Sequence, residues 1–325
     1  MAKIVAIGAS QGGVEALHTL IPALPAEFPA AILIVVHVGA GPSLLPSILN
    51  NVSRLPASHA KDGERIERGH IYVAPADHHL LVNDGRLELS RGPRENWTRP
   101  AVDPLFRSVA ESYRENAIGV LLTGRLNDGT AGLYEIKRRG GLAIVQDPRE
   151  AEAPSMPQSA ADNVDIDFCL PLPELPGLLI HLVAQPAVGK PRHEEIGVSA
   201  MQHSDESLEH PIAQTCPECG GAMREEIRGT LIQFRCHIGH VMTAQILAAA
   251  QVEILDRDIS SVLRMLNERV ELCQDIAGKH AARGDAEAQA VWRRAAEEAR
   301  NREEAIERMT EAEWVHPETV AAGAE

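Results

Sequence analysis

The sequence predicts an α/β protein: a mostly parallel, doubly wound sheet in the first half, then a small zinc-ribbon-like module and a C-terminal helical hairpin. Three observations predict it. Short apolar runs alternate with segments of helical periodicity over residues 1–184, and such alternation builds a parallel sheet covered on both faces. Four soft metal ligands lie close together between residues 216 and 240, a spacing that staples small folds around zinc. Beyond residue 244 apolar residues recur every three or four positions in two runs broken by Gly284-Asp285, which is the pattern of paired helices.

Taken in order, Ile4–Ile7 is an apolar run that breaks into Gly8-Ala9-Ser10-Gln11-Gly12-Gly13, a strand-to-helix turn. A helix carrying Val14, Leu17, Leu20 and Ile21 ends at Pro22 and Pro25, and Ala31–Val38 reads as a strand buried on both faces. Leu44–Val52 is helical after Pro42-Ser43. Between residues 58 and 91 the turn dipeptides Asp62-Gly63 and Asp84-Gly85 separate Ile71–Val73, Leu80–Val82 and Leu87–Leu89, which together read as a small antiparallel excursion. Val102–Tyr113 is helical, Ala117–Thr123 is a buried strand, Asp128-Gly129 opens a helix over Ala131–Arg138, and Leu142–Gln146 is a further strand.

The α/β domain is expected to end near residue 184. Residues 185–211 carry prolines and acids without apolar periodicity and read as a linker; 212–245 are the Cys/His module, 246–315 the helical hairpin and 316–325 a disordered tail. In the first helix of the hairpin Leu255, Ile259, Val262, Leu266 and Val270 share a face; in the second the seam runs through 288, 292, 295, 299, 302, 306 and 309, interrupted by Arg302. Packing within the hairpin is the first reading of that seam, and a homodimer through these helices the second.

The chain has 325 residues, 44% of them hydrophobic and only 3% aromatic, so the core must be aliphatic. A formal net charge of −15 argues against nucleic acid as the main partner, because phosphate binding needs a basic field. No secretion signal and no run approaching a membrane span is visible, and the odd number of Cys, three of them clustered, fits a reducing compartment. The expectation is a cytoplasmic protein.

Ligands of open α/β sheets sit beyond the carboxyl ends of the strands. Ser10, His37 and Asp128 fall at or near such ends, and a hydroxyl, an imidazole and a carboxylate are the material of a nucleophile, its base and the group that orients the base. Gly8 and Gly12-Gly13 permit a sharp turn around Ser10, and the following helix N-terminus suits a developing oxyanion. Blander readings compete. The Gly-rich turn could be a phosphate cradle, although it lacks both the G-x-G-x-x-G spacing and a Walker lysine. His37 could be a satisfied core histidine, and Asp128 a turn and cap residue.

Residues 1 to about 184 resemble the catalytic domain of the chemoreceptor methylesterases, the CheB family. The stretches that carry the resemblance are Ile7–Gly13, Val35-Val36-His37-Val38, Asp62-Gly63-Glu64 with Gly69–Pro75, Arg99–Asp103 with Leu105-Phe106, and Leu121–Gly124 through Asn127-Asp128-Gly129. The resemblance implies that Ser10 attacks a glutamate methyl ester, that His37 moves its proton to the departing methanol, and that Asp128 orients His37; glutamine deamidation follows the same steps. A methyl-accepting chemoreceptor or related signalling protein is the implied partner, and no cofactor is needed for catalysis. Gln11, Gly12 and Arg125 are the candidate oxyanion or substrate loop.

Three positions depart from the family pattern. Gln11 replaces the usual Thr or Ala, Val38 the usual Met, and Arg125-Leu126 the usual Met-Gly. If that glycine position needs a positive φ, Leu126 is strained there. Arg125 would set a cation near the substrate, which suits an acidic receptor segment. The chain also begins directly with the catalytic resemblance, so a phosphoacceptor receiver domain in cis is expected to be missing.

Cys216-x2-Cys219 and Cys236-x3-His240 give four N/S ligands with no obvious open position, so structural zinc is expected there, with His237 as an alternative ligand and with a module that has lost its metal, or a reactive cysteine pair, as the competing readings. Cys169 and Cys273 read as ordinary buried thiols, and His78-His79 and Glu150–Glu152 as solvated loops. Two other functions stand beside the methylesterase: a serine esterase of another substrate, motivated by Gln11, Arg125 and Leu126, and a catalytically silent signalling adaptor.

Overall fold

The computed structural model describes residues 2–37, 41, 43–186, 214–310 and 314. The sequence readings that fall on Val38, on linker residues 187–211 and on the tail 316–325 lie outside the described residues. The chain divides into two compact units, 1–247 and 248–325.

The first unit is built on seven strands, β1 (Ile4–Ala9), β2 (Ala31–Val36), β3 (Ala57–His59), β4 (Ile71–Val73), β7 (Ala117–Leu121), β8 (Leu142–Gln146) and β9 (Phe168–Leu170). Their order is β3-β4-β2-β1-β7-β8-β9, and every neighbouring pair is parallel. Alternation along β1 feeds two cores. Val5, Ile7 and Ala9 join helices α1 (Gly13–Leu20), α2 (Leu45–Val52) and α6 (Leu175–Ala184) on one face. Ile4 and Ala6 join α3 (Val102–Tyr113), α4 (Thr130–Arg138) and α5 (Ser155–Asn163) on the other. Strands buried on both faces are why these segments read as continuous apolar runs. The helix after β1 covers one face and the helix after β7 the other, so the topological switch point lies between these two neighbours.

The antiparallel excursion is smaller than the sequence suggests. Ile71–Val73 is not part of it: β4 is an inner parallel strand between β3 and β2, with all three residues buried. A three-residue run carries no periodicity that could have told the two apart. The antiparallel strand pair of the excursion is β5 (His79–Asn83) and β6 (Arg86–Ser90), turning at Asp84 and Gly85, both at positive φ (46° and 72°), as a tight hairpin requires. His79 is buried rather than solvated: Nε2 donates to the Pro93 carbonyl (3.0 Å) and Nδ1 accepts from Ala101 N–H (3.3 Å). Cys169 is exposed, not buried, because β9 is the edge of the sheet; Cys273 is buried.

The Cys/His segment folds as a three-stranded antiparallel sheet, β10 (Met223–Arg228), β11 (Leu231–Cys236) and β12 (Val241–Thr243). It runs into α7 (Ala244–Ala282), and α8 (Ala286–Thr310) returns after a turn at Gly284 (φ 75°). Trp314 Nε1 donates to Asp256 Oδ1 at 2.9 Å, as an antiparallel pair allows. Of the face predicted for α7, Leu255 and Val262 are 45% and 43% exposed while Val270 is buried; the other buried positions of α7 in this unit are Ala250, Cys273 and Ala277. Among the described residues no helix is long and apolar enough to cross a membrane.

Candidate active site

Because β2, β1 and β7 are adjacent, their carboxyl ends bring three polar residues to one place. Ser10 directly follows β1, His37 directly follows β2, and Asp128 sits in the loop between β7 and α4. His37 Nδ1 lies 3.1 Å from Ser10 Oγ, and His37 Nε2 lies 2.7 Å from Asp128 Oδ2. An ionised Asp128 accepts from Nε2–H, which leaves the Nδ1 lone pair for the Ser10 hydroxyl proton. The His37 side chain is 20% exposed and that of Asp128 2%, so the imidazole reaches solvent while the carboxylate does not.

The turn after β1 is shaped by close approach. Gly12 has φ 74°, and a Cβ there would come within 3 Å of the Glu152 side chain. A Cβ on Gly124 would stand 2.8 Å from Ser10 Cβ. The Ser10 N–H donates to the Thr123 carbonyl (3.0 Å), and Gly13 N–H closes onto the Ser10 carbonyl (2.9 Å). Gln11 and Gly12 carry the next two N–H groups at the start of α1, the place where a developing negative charge gains most from free donors. Gln11 and Arg125 are both exposed beside this turn.

Four donors converge on Asp128. Besides His37, Oδ2 accepts Val102 N–H (2.6 Å), and Oδ1 accepts Asp103 N–H (3.1 Å) and Asn96 Nδ2 (2.7 Å). The first two backbone donors are the start of α3, whose positive dipole end faces the carboxylate. Gly8 makes this possible, since a Cβ on it would collide with Val102. Burial works against ionisation of Asp128, but the His37 bond and charge, Val102 N–H and Asn96 outweigh it and hold the carboxyl below its usual range. Asp103 goes the other way: burial, then the Asp128 charge, push it up to about 7. Asn96 Nδ2 bridges the two carboxyls, donating to Asp103 Oδ2 as well (2.7 Å).

Asn96 and the α3 N-terminus are the parts of this site that sequence reading missed. Asn96 lies in a polar stretch with no periodicity; only its fitness for a left-handed backbone, realised at φ 52°, hints at a special position. Leu126 does occupy the left-handed region, at φ 63°, as feared for a residue standing where glycine is usual.

Cys216, Cys219, Cys236 and His240 converge, with their donor atoms all within 4.8 Å of one another. Cys219 and Cys236 sulfurs are 3.7 Å apart, and His240 Nδ1 is 3.6 Å from Cys216 Sγ and 3.4 Å from Cys236 Sγ. A tetrahedron with Zn–S bonds of about 2.3 Å has edges of roughly 3.7 Å, so the donor set fits zinc. A separate cavity of about 450 Å³ is lined by His79, Glu95, Arg107 and Arg235, among others; Ser10, His37 and Asp128 do not line it.

Residues 5–179 match the family model described as CheB methylesterase. A provisionally named protein-glutamate methylesterase/protein-glutamine glutaminase of Leptospira interrogans is 41% identical over 182 residues, covering 55% of this chain and 94% of that protein. The protein-glutamate methylesterase/protein-glutamine glutaminases of Hydrogenovibrio crunogenus and Thermotoga maritima are 39% and 38% identical over 186 residues each, covering 56% of this chain and 49% and 54% of theirs. The chain therefore spans about half the length of these last two. The crystal structure of the Thermotoga maritima CheB methylesterase catalytic domain is similar at 37% identity and a TM-score of 0.54, covering 56% of this chain and 99% of that one.

Proposed function

The chain belongs to the CheB methylesterase family, and from that premise we propose that it is a protein-glutamate methylesterase, and a glutamine deamidase by the same steps, acting on a methyl-accepting chemoreceptor or a related signalling protein. The observation that carries the reading is the chain of contacts from Ser10 through His37 to Asp128. Ser10 Oγ attacks the ester carbonyl as its proton passes to His37 Nδ1. Asp128, fixed by the α3 N-terminus, stabilises the resulting imidazolium. The Gln11 and Gly12 N–H groups receive the oxyanion. His37 gives its proton to the leaving methoxide, methanol departs, and water activated by the same imidazole releases glutamate and regenerates Ser10. An amide loses ammonia instead and leans harder on protonation by His37.

Arg125, exposed beside this site, favours an acidic receptor segment. Zinc held by Cys216, Cys219, Cys236 and His240 serves structure, since all four positions are filled by protein. Catalysis needs no cofactor, the acidic surface disfavours nucleic acid, and the free thiols fit a cytoplasmic location. Exposed Leu255, Val262 and Met265 on α7 support a homodimer through the C-terminal helices.

The test is methanol release from methylated chemoreceptor membranes by the chain and by Ser10→Ala. Release that disappears with Ser10→Ala is the expected result; no release from the unsubstituted, folded chain overturns the substrate assignment.

A further inference from the structure

The Cys/His module is seated on the loops that hold Asp128. Leu126, two residues before it, adopts φ 63°, a conformation that is strained for a leucine. Its side chain packs against the module's own buried cluster, which includes the metal ligands Cys216 and Cys236. Trp97, also at positive φ (62°), packs on the same cluster.

Hydrogen bonds run along the same route. Thr243 is fully buried. Its hydroxyl caps α7 by accepting Ile246 N–H (3.3 Å) and donates to Asn127 Oδ1 (2.7 Å); Asn127 Nδ2 donates to Gln245 Oε1 (2.9 Å). Val241 accepts the backbone N–H of Asn96 at 2.7 Å, and the Asn96 side chain donates to Asp128. Val241 and Thr243 are the first and third residues after the ligand His240, on β12. This three-residue strand begins directly after His240 and lies against β11, so the metal knuckle fixes one of its ends.

We propose that the metal-bound module is a positioning element for the candidate active site: with zinc in place, Thr243 holds Asn127 and Val241 holds Asn96, and the two together set how Asp128 meets His37. The proposal rests on the hydrolytic reading of Ser10, His37 and Asp128. Thr243 and Val241 are positioning residues that act through Asn127 and Asn96, and Leu126 is the apolar contact that couples the two parts.

The experiment compares the full chain loaded with zinc, stripped by a chelator and reloaded with zinc, together with zinc-loaded Thr243→Ala and Thr243→Ser. One readout is the rate at which a fluorophosphonate probe labels Ser10. The other is hydrogen exchange at the Val102 and Asp103 amides, which donate to Asp128. Stripping is expected to slow labelling by about tenfold, the scale of one lost buried hydrogen bond, and to speed exchange, with zinc reversing both. Thr243→Ala keeps all four metal ligands and is expected to show the same losses, while Thr243→Ser, which retains the hydroxyl, returns labelling to within about twofold. Labelling and exchange unchanged on stripping, or in Thr243→Ala, overturn the proposal, as does a loss that only tracks the unfolded fraction seen by circular dichroism. If the zinc-loaded chain does not label at all, the hydrolytic reading has failed; exchange that still answers to zinc then upholds the positioning role, and exchange that does not removes it.

Discussion

Asp128→Asn places an amide where four donors converge. Oδ2 receives His37 Nε2 and Val102 N–H, and Oδ1 receives Asn96 Nδ2 and Asp103 N–H. An asparagine supplies one oxygen and one NH2, so one of these pairs must face a donor. With the NH2 toward His37, the imidazole must accept at Nε2 and carry its proton on Nδ1, where it cannot take the Ser10 proton. With the NH2 toward Asn96, the Asp103 N–H is stranded. The first orientation removes the base, and the second withdraws the charge that stabilises the imidazolium. Both are expected to lower the acylation rate, by about 10³- to 10⁴-fold on the scale of Ser-His-Asp hydrolases, or about 4–5 kcal/mol of barrier. A stranded backbone donor adds about 1–3 kcal/mol of lost stability. Methanol release from methylated receptor membranes measures the first effect and urea denaturation the second. A variant whose rate stays within tenfold of the unsubstituted chain refutes the assignment of Asp128 to the orienting role.

Gly8→Ala is expected to cost about 1–3 kcal/mol by overpacking against Val102, and to lower activity by shifting the α3 N-terminus off Asp128; urea denaturation beside the methanol assay checks both. Leu126→Gly releases about 1 kcal/mol of backbone strain at φ 63° and forfeits a similar amount of half-buried packing. Its stability should therefore change by less than about 2 kcal/mol in thermal or urea unfolding, while its Ser10 labelling becomes less sensitive to zinc. Burial and the neighbouring Asp128 charge push Asp103 up to about 7 in the folded chain, above an unfolded carboxyl, so the native state binds that proton more tightly. Its contribution to stability is present below about pH 4 and is lost as the pH rises through about 7. Buried His79, whose pKa is lowered by burial, contributes in the opposite sense as the pH falls below about 6.5. The difference in unfolding free energy between the chain and Asp103→Asn, followed from pH 4 to 8, isolates the Asp103 slope; a difference that does not vary with pH contradicts it.

The class of the fold was legible in the residue order, because strands buried on both faces must be written as unbroken aliphatic runs, as β1, β2 and β7 are. The sequence also singled out Ser10, His37 and Asp128, as polar residues interrupting apolar surroundings beside strand ends, and the four Cys/His residues through their short spacings. Local signals failed where elements are short or only partly covered. Ile71–Val73 was too brief to reveal its parallel partners, and the apolar stripe of α7 gave no sign that Leu255 and Val262 stay exposed while Val270 is covered. Only the tertiary structure decided how Asp128 is held. Its donors come from Asn96 and from the start of α3, far from Asp128 in sequence, and no local pattern encodes which backbone N–H groups a buried carboxylate will meet. The same is true of Leu126. In sequence it is a residue that does not suit its backbone; in the fold its side chain joins a cluster supplied by residues about a hundred positions later, and that packing offsets the strain.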